Sequence, residues 1–344
     1  MRGFMIKRHG GPENLEWGDW PKPEPADDEI RLRVRACALN RLDLWVREGV
    51  PGHTFPLPLV PGSEIAGDID SLGKEVEKLE AGSAALLAPG VSCGLCPRCV
   101  AGEDMLCRHY GILGEHRDGG YAEYVTVPAR NVLPLPTGLS YVEAAAIPLV
   151  FLTAWHMLTA RAALQPGEDV LLHAAGSGVS SAGIQIARLL GARHIITTAG
   201  SDAKLEKARA LGATHAINYA DSDFVAETRK IVGKKGVEVV FDHVGGETFE
   251  RSLPVLAWGG RAVLCGATTA AEAKVNMRAL FFKNQSILGS TMGGLSELKQ
   301  LLEFFASGSL VPVIDRTMPL ERAVEAQAAL ENRELFGKIV LTVD

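Results

Sequence analysis

The chain has little that would direct it to a membrane or to nucleic acid. Its most apolar stretch, residues 144–158, is interrupted by Pro148, Thr153 and His156 and is shorter than the ~20 residues that span a bilayer. We therefore predict that this stretch is a buried helix. The 35 Lys and Arg residues are outnumbered by 41 Asp and Glu residues, and no basic run is long enough to contact a polyanion. The sequence predicts neither a membrane nor a nucleic acid as a partner.

Aromatic residues are also scarce, at 6%, and the 37 glycines and 18 prolines follow no period, which excludes collagen-like and coiled-coil classes. The 344 residues, 47% of them hydrophobic and 22% charged, have the composition of a globular protein of about two domains. Residues 1–18 lack the apolar core of a secretory leader, so the chain is expected in the cytoplasm.

Cysteines number only six, and four of them crowd into residues 93–107, whereas Cys37 and Cys265 stand alone. In a chain expected in a reducing compartment, this crowding favours a metal over disulfides. The spacing C-x2-C-x2-C-x7-C suits a closed tetrahedral zinc site, which would stabilise a loop and leave no position for substrate. An iron–sulfur cluster and unmetallated thiols are the alternatives, although ferredoxin runs place the fourth Cys after three residues. The predicted ligands of one structural zinc ion are Cys93, Cys96, Cys99 and Cys107.

Two patterns divide the chain. Residues 29–38 alternate apolar and charged side chains, as in a half-buried strand, and β-like runs follow at 64–70 and 121–127. After residues 165–167, apolar strands alternate with amphipathic helices, a pattern typical of a parallel doubly wound sheet. The six predicted strands of this sheet begin at residues 169, 194, 214, 237, 261 and 286.

The first of these strands runs into a glycine-rich turn and then into a helix, the order that a dinucleotide pyrophosphate requires. Small residues let the backbone approach the phosphates, and the helix N-terminus supplies unpaired N–H groups. As a G-x-G-x-x-G motif the turn is imperfect, because Ser181 stands at the third glycine, and a turn without ligand is the alternative. The predicted pyrophosphate contacts are Gly176, Ser177, Gly178, Val179 and Ser180.

The second strand of the sheet lacks the terminal carboxylate that usually binds the ribose 2′-hydroxyl of NAD. It runs instead into Gly200 and Ser201, with Asp202 just outside and Lys204 following. A Gly-Ser turn beside a lysine would accommodate a 2′-phosphate, so we predict NADP(H) over NAD(H). A return of Asp202 toward the ribose would reverse this preference.

Together these features resemble the medium-chain dehydrogenase/reductase superfamily, which includes zinc alcohol dehydrogenases and quinone reductases. The resemblance covers essentially the whole chain and implies an α/β fold of two domains, with homodimers or homotetramers as the usual assemblies. A GroES-like β-rich catalytic domain would comprise residues 1–150 and 292–344, and a Rossmann dinucleotide-binding domain residues 151–291. Besides the cysteines and the glycine-rich turn, the resemblance is carried by VPGSEIAG at 60–67, DGGYAEYV at 118–125, LGATHAINY at 211–219, FDHVGG at 241–246 and GKIVL at 337–341.

Zinc alcohol dehydrogenases also hold a catalytic zinc ion, whose three ligand positions fall, by this resemblance, on Asn40, Ser63 and about Leu149. None of these is a soft ligand. Cys37 is a poor substitute, because an offset of three along a strand points it away from the face of Asn40. His53, in a surface loop, is the remaining alternative ligand. Zinc lowers the pKa of a bound hydroxyl by about nine units, worth ~12 kcal/mol, which one or two hydrogen bonds cannot replace.

The sequence therefore favours hydride transfer from NADPH to a quinone or an α,β-unsaturated carbonyl. The oxyanion that develops on such an acceptor is more stable than the alkoxide of an alcohol. Asn40 and Asp43 match the G-V-N-x-x-D pattern of quinone reductases, so the resemblance implies that they line the nicotinamide pocket and orient cofactor and substrate. Capping of a helix that begins near Arg41 is the alternative role. The alternative functions are an alcohol dehydrogenase with a rebuilt metal site and a nucleotide-binding sensor or structural protein without turnover.

The resemblance also implies cofactor contacts beyond the glycine-rich turn. Tyr219 is expected on the adenosine side, with core packing as the alternative, and Phe281 and Phe282 are expected in the core or at a subunit interface. The other implied contacts are Ser201, Lys204, Thr153 near the nicotinamide, Val244, Cys265, Gly266, Thr291 and, in the C-terminal tail, Lys338.

Overall fold

A computed structural model describes residues 1–344 and divides into two compact units, Met1–Val150 with Gly294–Asp344, and Phe151–Gly293. The N-terminal part of the first unit is rich in strands and has only three short helices. Its strands are β1 Arg2–Ile6, β2 Leu15–Asp19, β3 Glu29–Ala38, β4 Glu64–Leu72, β5 Ala84–Leu87, β6 Gly90–Val91, β7 Gly111–Ile112, β8 Tyr124–Pro128 and β9 Val132–Pro134. Its helices are α1 Arg41–Glu48, α2 Pro97–Val100 and α3 Tyr141–Ala145.

The second unit alternates strands and helices. Its strands are β10 Asp169–Leu172, β11 His194–Ala199, β12 His215–Asn218, β13 Val237–Asp242, β14 Leu256–Leu264 and β15 Ser286–Gly289. Its helices are α4 Val150–His156, α5 Gly178–Leu189, α6 Asp202–Leu211, α7 Phe224–Val232, α8 Gly246–Ser252 and α9 Met277–Phe282. All six strands are parallel, in the order β12-β11-β10-β13-β14-β15, so the six predicted strands are confirmed. The strand order reverses between β10 and β13, where doubly wound sheets bind their ligands.

The chain then returns to the first unit. The returning elements are α10 Leu295–Ala306, β16 Ile314–Pro319, α11 Ala323–Glu331 and β17 Lys338–Thr342. Strand β17 pairs antiparallel with β3, with Val340 opposite Ala38, and completes a sheet of order β16-β17-β3-β4-β5-β9, in which β8 also pairs with β3. The prediction that the C-terminal strand belongs to the first unit is therefore confirmed.

Strand β3 has the predicted bounds and shows why alternation predicts a half-buried strand. Ile30, Leu32 and Val34 are fully buried, whereas the arginines between them face outward. Arg31 and Arg35 pair with carboxylates of the neighbouring strand β4, Arg31 with Asp70 at 2.6 Å. The apolar face supplies the core of the first unit, and the arginines of the opposite face are half-buried, two of them against carboxylates of β4.

Two predictions about apolar segments require correction. The stretch 144–158 is not one helix, because residues 146–149, which include Pro148, separate α3 from α4. None of the helices has the length and apolar character needed to cross a bilayer. Phe281 and Phe282 are 67% and 64% exposed, which excludes the core and leaves the subunit interface as their predicted environment.

Candidate functional site

The four predicted zinc ligands come together in the first unit. Cys93 Sγ lies 3.5 Å from Cys107 Sγ and 3.8 Å from Cys99 Sγ, and Cys96 Sγ lies 3.5 Å from Cys99 Sγ. Zn–S bonds of about 2.3 Å place the sulfur atoms about 3.8 Å apart around a tetrahedral ion, so the set fits zinc with small shifts. Hydrogen bonds from the backbone N–H groups of Leu95 and Cys96 lower the pKa of Cys93 to about 6, whereas the pKa of Cys96 is raised to about 11, so the four thiols share their protons unequally.

The glycine-rich turn of the second unit leads directly into α5. Ser177 caps this helix, because its Oγ accepts a hydrogen bond from the N–H of Ser180 at 3.1 Å. Gly183 takes the role of the third glycine in the motif, which lets the helix pack closely on the strand. A Cβ at Gly183 would lie 2.8 Å from Leu172 Cδ2 of β10. Ser181, at the expected position, donates its hydroxyl to the carbonyl of Gly178 instead. A residue outside the motif thus allows α5 to pack closely on β10. The N-terminus of α5 offers N–H groups to an anion.

His243, which sequence reasoning missed, lies against this turn. Its Nε2 is 3.0 Å from both Ser177 Oγ and Ser180 Oγ. Ser180 donates its only hydroxyl proton to the carbonyl of His173 at 2.6 Å, so the imidazole N–H is the donor to Ser180. The position of His243 directly after β13, within FDHVGG, was the available signal. The contact fixes both serines at the start of α5.

The residues predicted near the adenosine ribose meet at the carboxyl ends of β11 and β12. Ser201 is the N-cap of α6, and Asp202 accepts a hydrogen bond from Asn218 Nδ2 at 3.1 Å. Tyr219 is 52% exposed, which excludes core packing. Its ring lies over Gly200, where a Cβ would be 2.9 Å from the phenol oxygen.

The remaining predicted contacts of the second unit also follow parallel strands. Val244 donates its N–H to the buried Asp242 carboxylate at 2.9 Å, and Cys265 donates its N–H to the carbonyl of Asp242 at 3.2 Å. Burial, aided by the negative charge of Asp242, raises the pKa of Cys265 to about 12, so its thiol stays protonated. Thr153 lies elsewhere, in α4, and its hydroxyl contacts Met292 Sδ at 3.8 Å. Gly266 and Thr291 lie two residues beyond the ends of β14 and β15.

A second polar cluster lies in the first unit, around Lys338 at the start of β17. The Lys338 ammonium is 2.6 Å from Asn40 Oδ1 and 2.6 Å from Glu64 Oε2, and it also donates to the carbonyl of Leu39. Glu64 Oε1 accepts the N–H group of Leu149 at 2.7 Å. All three ammonium protons are therefore used within this unit. A contact of Lys338 with the cofactor stays a prediction.

Asn40 and Asp43 are joined to this cluster. Asn40 Nδ2 donates to Glu64 Oε2 at 3.1 Å and to the carbonyl of Ala38 at 3.3 Å, so both amide protons are used. Asp43 accepts the N–H of Asn40 at 2.8 Å and the hydroxyl of Tyr121 at 3.1 Å. Asp43 has no exposed surface, and burial raises its pKa to about 6. These contacts match the alternative role of Asp43, which caps α1 and supports Asn40, whose Oδ1 can accept one further hydrogen bond. The catalytic role of Asp43 stays a prediction.

The positions of the catalytic zinc ligands do not fit a zinc ion. Asn40 and Ser63 offer no thiolate or imidazole, and Leu149 contributes its backbone N–H to Glu64. Lys338 already neutralises the Glu64 carboxylate.

Cys37 does not supply the missing ligand either. The argument that it faces away from Asn40 does not apply, because β3 ends at Ala38. Cys37 is fully buried, and burial together with the charges of Asp43 and Glu64 raises the pKa of its thiol well above the usual value. Zinc could bind Cys37 only by displacing this proton within the core of the unit. The other alternative ligand, His53, lies beside Glu115 and His116.

Comparisons with known proteins agree with this arrangement of motifs. Residues 26–137 match the family model of the alcohol dehydrogenase GroES-like domain, and residues 178–307 match that of the zinc-binding dehydrogenases. The chain is 29% identical to the human quinone oxidoreductase over 99% of this chain and 97% of that protein. It is 32% identical to an NAD-dependent alcohol dehydrogenase of Sulfurisphaera tokodaii over 99% of each chain. Among solved structures, an NAD-dependent alcohol dehydrogenase is 48% identical over the full length of both chains, with a TM-score of 0.96.

Proposed function

Because the chain belongs to the medium-chain dehydrogenase/reductase superfamily, and is an oxidoreductase of its alcohol dehydrogenase type, we propose that it transfers hydride from NADPH to a quinone or an α,β-unsaturated carbonyl without a catalytic metal. The observation that carries this proposal is the buried contact of Lys338 with Glu64 and Asn40. It puts a fixed positive charge against Asn40, one of the three positions from which an alcohol dehydrogenase would hold its catalytic zinc, and against Glu64, which directly follows a second of them, Ser63.

The chemistry of the acceptor is compatible with this arrangement. A bound reduced nicotinamide would supply hydride to a ring or alkene carbon of the acceptor, whose displaced electron pair would move to oxygen. A proton from solvent would then complete the hydroquinone or saturated carbonyl. Because a quinone or enone delocalises the developing charge, positioning and a few hydrogen bonds suffice where an alkoxide would require a Lewis acid.

We assign separate roles to the residues of the two units. In the second unit, the N–H groups at the start of α5 bind the pyrophosphate, with Ser177 and Ser180 fixed by His243. Ser201 and Lys204 accommodate the 2′-phosphate of NADP(H). In the first unit, Asn40 acts as a hydrogen-bond acceptor toward cofactor or substrate. The four-cysteine lobe holds a structural zinc ion, which stabilises its loop and takes no part in the reaction.

The test is a screen for hydride transfer in both directions. NADPH oxidation is followed with a panel of quinones and enones, and NADP+ reduction with primary and secondary alcohols, before and after dialysis against a chelator that leaves the zinc of the cysteine lobe. We expect reduction of at least one quinone or enone that persists after dialysis. Alcohol oxidation that disappears with the removed metal would support an alcohol dehydrogenase instead, and cofactor binding without turnover would support a sensor.

The choice of cofactor has its own measurement, because two of the relatives are named as NAD-dependent. We expect a lower dissociation constant for NADPH than for NADH when both are titrated into the protein by fluorescence. Tighter binding of NADH would contradict the role assigned to Ser201 and Lys204 and leave the choice of acceptor untouched.

A further inference from the structure

We propose that the first unit has a second metal site, formed by His53, Glu115 and His116. The site prefers a divalent transition metal such as zinc and is independent of the four-cysteine lobe. Two imidazoles and one carboxylate are the ligand set of many zinc sites that keep a position open for water. His53 lies in the loop after α1, whereas Glu115 and His116 lie between β7 and β8. A bound ion would therefore join two loops that are far apart in the sequence.

The distances fit a tetrahedral ion. His53 Nε2 lies 3.5 Å from Glu115 Oε1, and His116 Nδ1 lies 3.6 Å from Glu115 Oε2. The ligand atoms that the three residues offer all lie within 4.8 Å of one another. Zinc bonds of about 2.0 to 2.2 Å to nitrogen and oxygen place neighbouring ligand atoms about 3.4 Å apart. Small side-chain rotations would bring all three residues to bonding distance.

The same distances are too long for a hydrogen-bonded ion cluster, since N–H···O bonds measure about 2.7 to 3.2 Å. Glu115 is nevertheless largely buried, with 12% of its side chain exposed, and its carboxylate faces the two imidazoles at 3.5 and 3.6 Å. Partial burial makes a carboxylate charge costly unless a cation or a hydrogen-bond donor lies close to it. A cation held between it and the two imidazoles would satisfy it.

Both loops are held in place without the ion. The His53 turn is closed by a hydrogen bond from its N–H to the carbonyl of Val50 at 3.0 Å. The Glu115 turn is closed by the N–H of Gly114, which donates to the carbonyl of Arg117 at 2.7 Å. Gly114 is fixed at φ +77, where a Cβ would lie 2.5 Å from the backbone of Gly62. Such pre-formed turns reduce the entropy lost when the ion binds.

The imidazoles determine which metal is preferred. His53 and His116 side chains are 40% and 38% exposed, so an ion and its water ligand can enter from solvent. Imidazole favours zinc, cobalt, nickel and copper over magnesium and calcium. His116 Nδ1 accepts the N–H of Ile112 at 3.2 Å, and this hydrogen bond is lost when Nδ1 binds a metal. One neutral hydrogen bond contributes only about 1 kcal/mol, which is small beside a metal–ligand bond.

The experiment uses the full chain with its cysteine lobe loaded with zinc. Cobalt(II) is titrated in as the probe, and its visible absorption and the metal content per chain after dialysis are recorded. We expect one cobalt ion per chain, in addition to the zinc, with a spectrum that lacks thiolate charge-transfer bands. His53→Gln and Glu115→Gln are each expected to weaken cobalt binding at least about tenfold.

His215→Gln serves as the matched control, because His215 is a partly exposed histidine of the second unit outside the proposed site. It should bind cobalt as the wild type does. Retention of one zinc ion by every variant shows that the first unit has folded. The proposal is wrong if the wild type binds no cobalt beyond the cysteine lobe, or if His53→Gln and the control bind it equally well.

Discussion

Lys338 and Glu64 form an ion pair with a distance of 2.6 Å, and their side chains are 4% and 0% exposed. Both charges are almost fully removed from water, and each has further partners, Asn40 for the ammonium and Leu149 for the carboxylate. The pair joins β17, near the end of the chain, to β4. Its removal should therefore change both the stability of the first unit and the electrostatic potential at the proposed site. A buried pair is strongly destabilising when only one partner is removed.

Lys338→Met should lower the free energy of unfolding by about 3 to 5 kcal/mol, because it leaves the Glu64 carboxylate buried without a counter-charge. Urea denaturation near neutral pH measures the change. The double variant Lys338→Met with Glu64→Gln, which removes both charges, should recover most of the loss. Equal stability of wild type and single variant would show that the pair makes no net contribution.

Asp43 should make the first unit less stable as the pH rises. Its pKa in the folded protein is about 6, above the ordinary value of 3.8, so the folded state binds the proton more tightly than the unfolded state. The stability that Asp43 contributes is therefore complete below the unfolded pKa and is lost as the pH rises through about 6, with a total of roughly 3 kcal/mol.

The pH effect is measured as the difference in unfolding free energy between wild type and Asp43→Asn, at about pH 4 and about pH 7. The wild type should lose stability relative to the variant between these two values. A difference that is constant with pH would mean that Asp43 does not titrate in this range.

Loss of the cysteine ligands should be a local event. Cys99→Ser removes one of four sulfur ligands, and we expect the variant to lose zinc and residues 93–107 to exchange amide hydrogens faster. The second unit contains none of the ligands and should retain its affinity for NADPH. Hydrogen exchange read by mass spectrometry, together with metal analysis, checks both statements. If amide hydrogen exchange of residues 93–107 were unchanged after zinc loss, the metal would have no structural role.

Ser201→Asp should turn the cofactor preference toward NADH. A carboxylate at the N-cap of α6 would repel the 2′-phosphate of NADPH and could accept a hydrogen bond from the 2′-hydroxyl of NADH. We expect the dissociation constant of NADPH to rise at least about tenfold, which corresponds to about 1.4 kcal/mol. Ser309→Asp, the same change on an exposed residue of the first unit, is the control. An unaltered NADPH affinity would place the 2′-phosphate elsewhere.

Phe281 and Phe282 should lie in a contact with a second copy of the chain. Two neighbouring aromatic side chains, both about two-thirds exposed, lie at the end of α9 just before β15, the edge strand of the parallel sheet. Such a surface is typical of a subunit interface. Light scattering should show a dimer or tetramer for the wild type and a smaller species for Phe281→Glu. A wild type that is monomeric at micromolar concentration would refute this.

The elements that sequence alone predicts well are those whose signal is local. The strands of the second unit are short apolar runs, and β3 alternates strictly, so their residues determine the structure without distant partners. The four-cysteine lobe is likewise predictable, because its ligands lie within fifteen residues, from Cys93 to Cys107. Helix α3 ends before the segment around Pro148, because a proline interrupts helical hydrogen bonding.

The parts that escaped prediction depend on contacts between distant segments. Lys338 and Asn40 are 298 positions apart, and nothing in the GKIVL motif reveals that the lysine would be buried against β4. The burial of Asp43 likewise depends on Tyr121, 78 positions away. His53 meets Glu115 only because two turns face each other. A single sequence contains no direct record of such pairings.

The order in which the strands of the first unit appear along the chain matters during synthesis. β3 and β4 leave the ribosome early, whereas β17 emerges only after the entire second unit has been translated. Until then a nascent chain holds Glu64 without its lysine and β3 without one neighbour. The second unit, continuous in sequence, can fold first, and the first unit is completed last. Chains that stall before β17 would expose a sheet edge, which makes them natural substrates for chaperones.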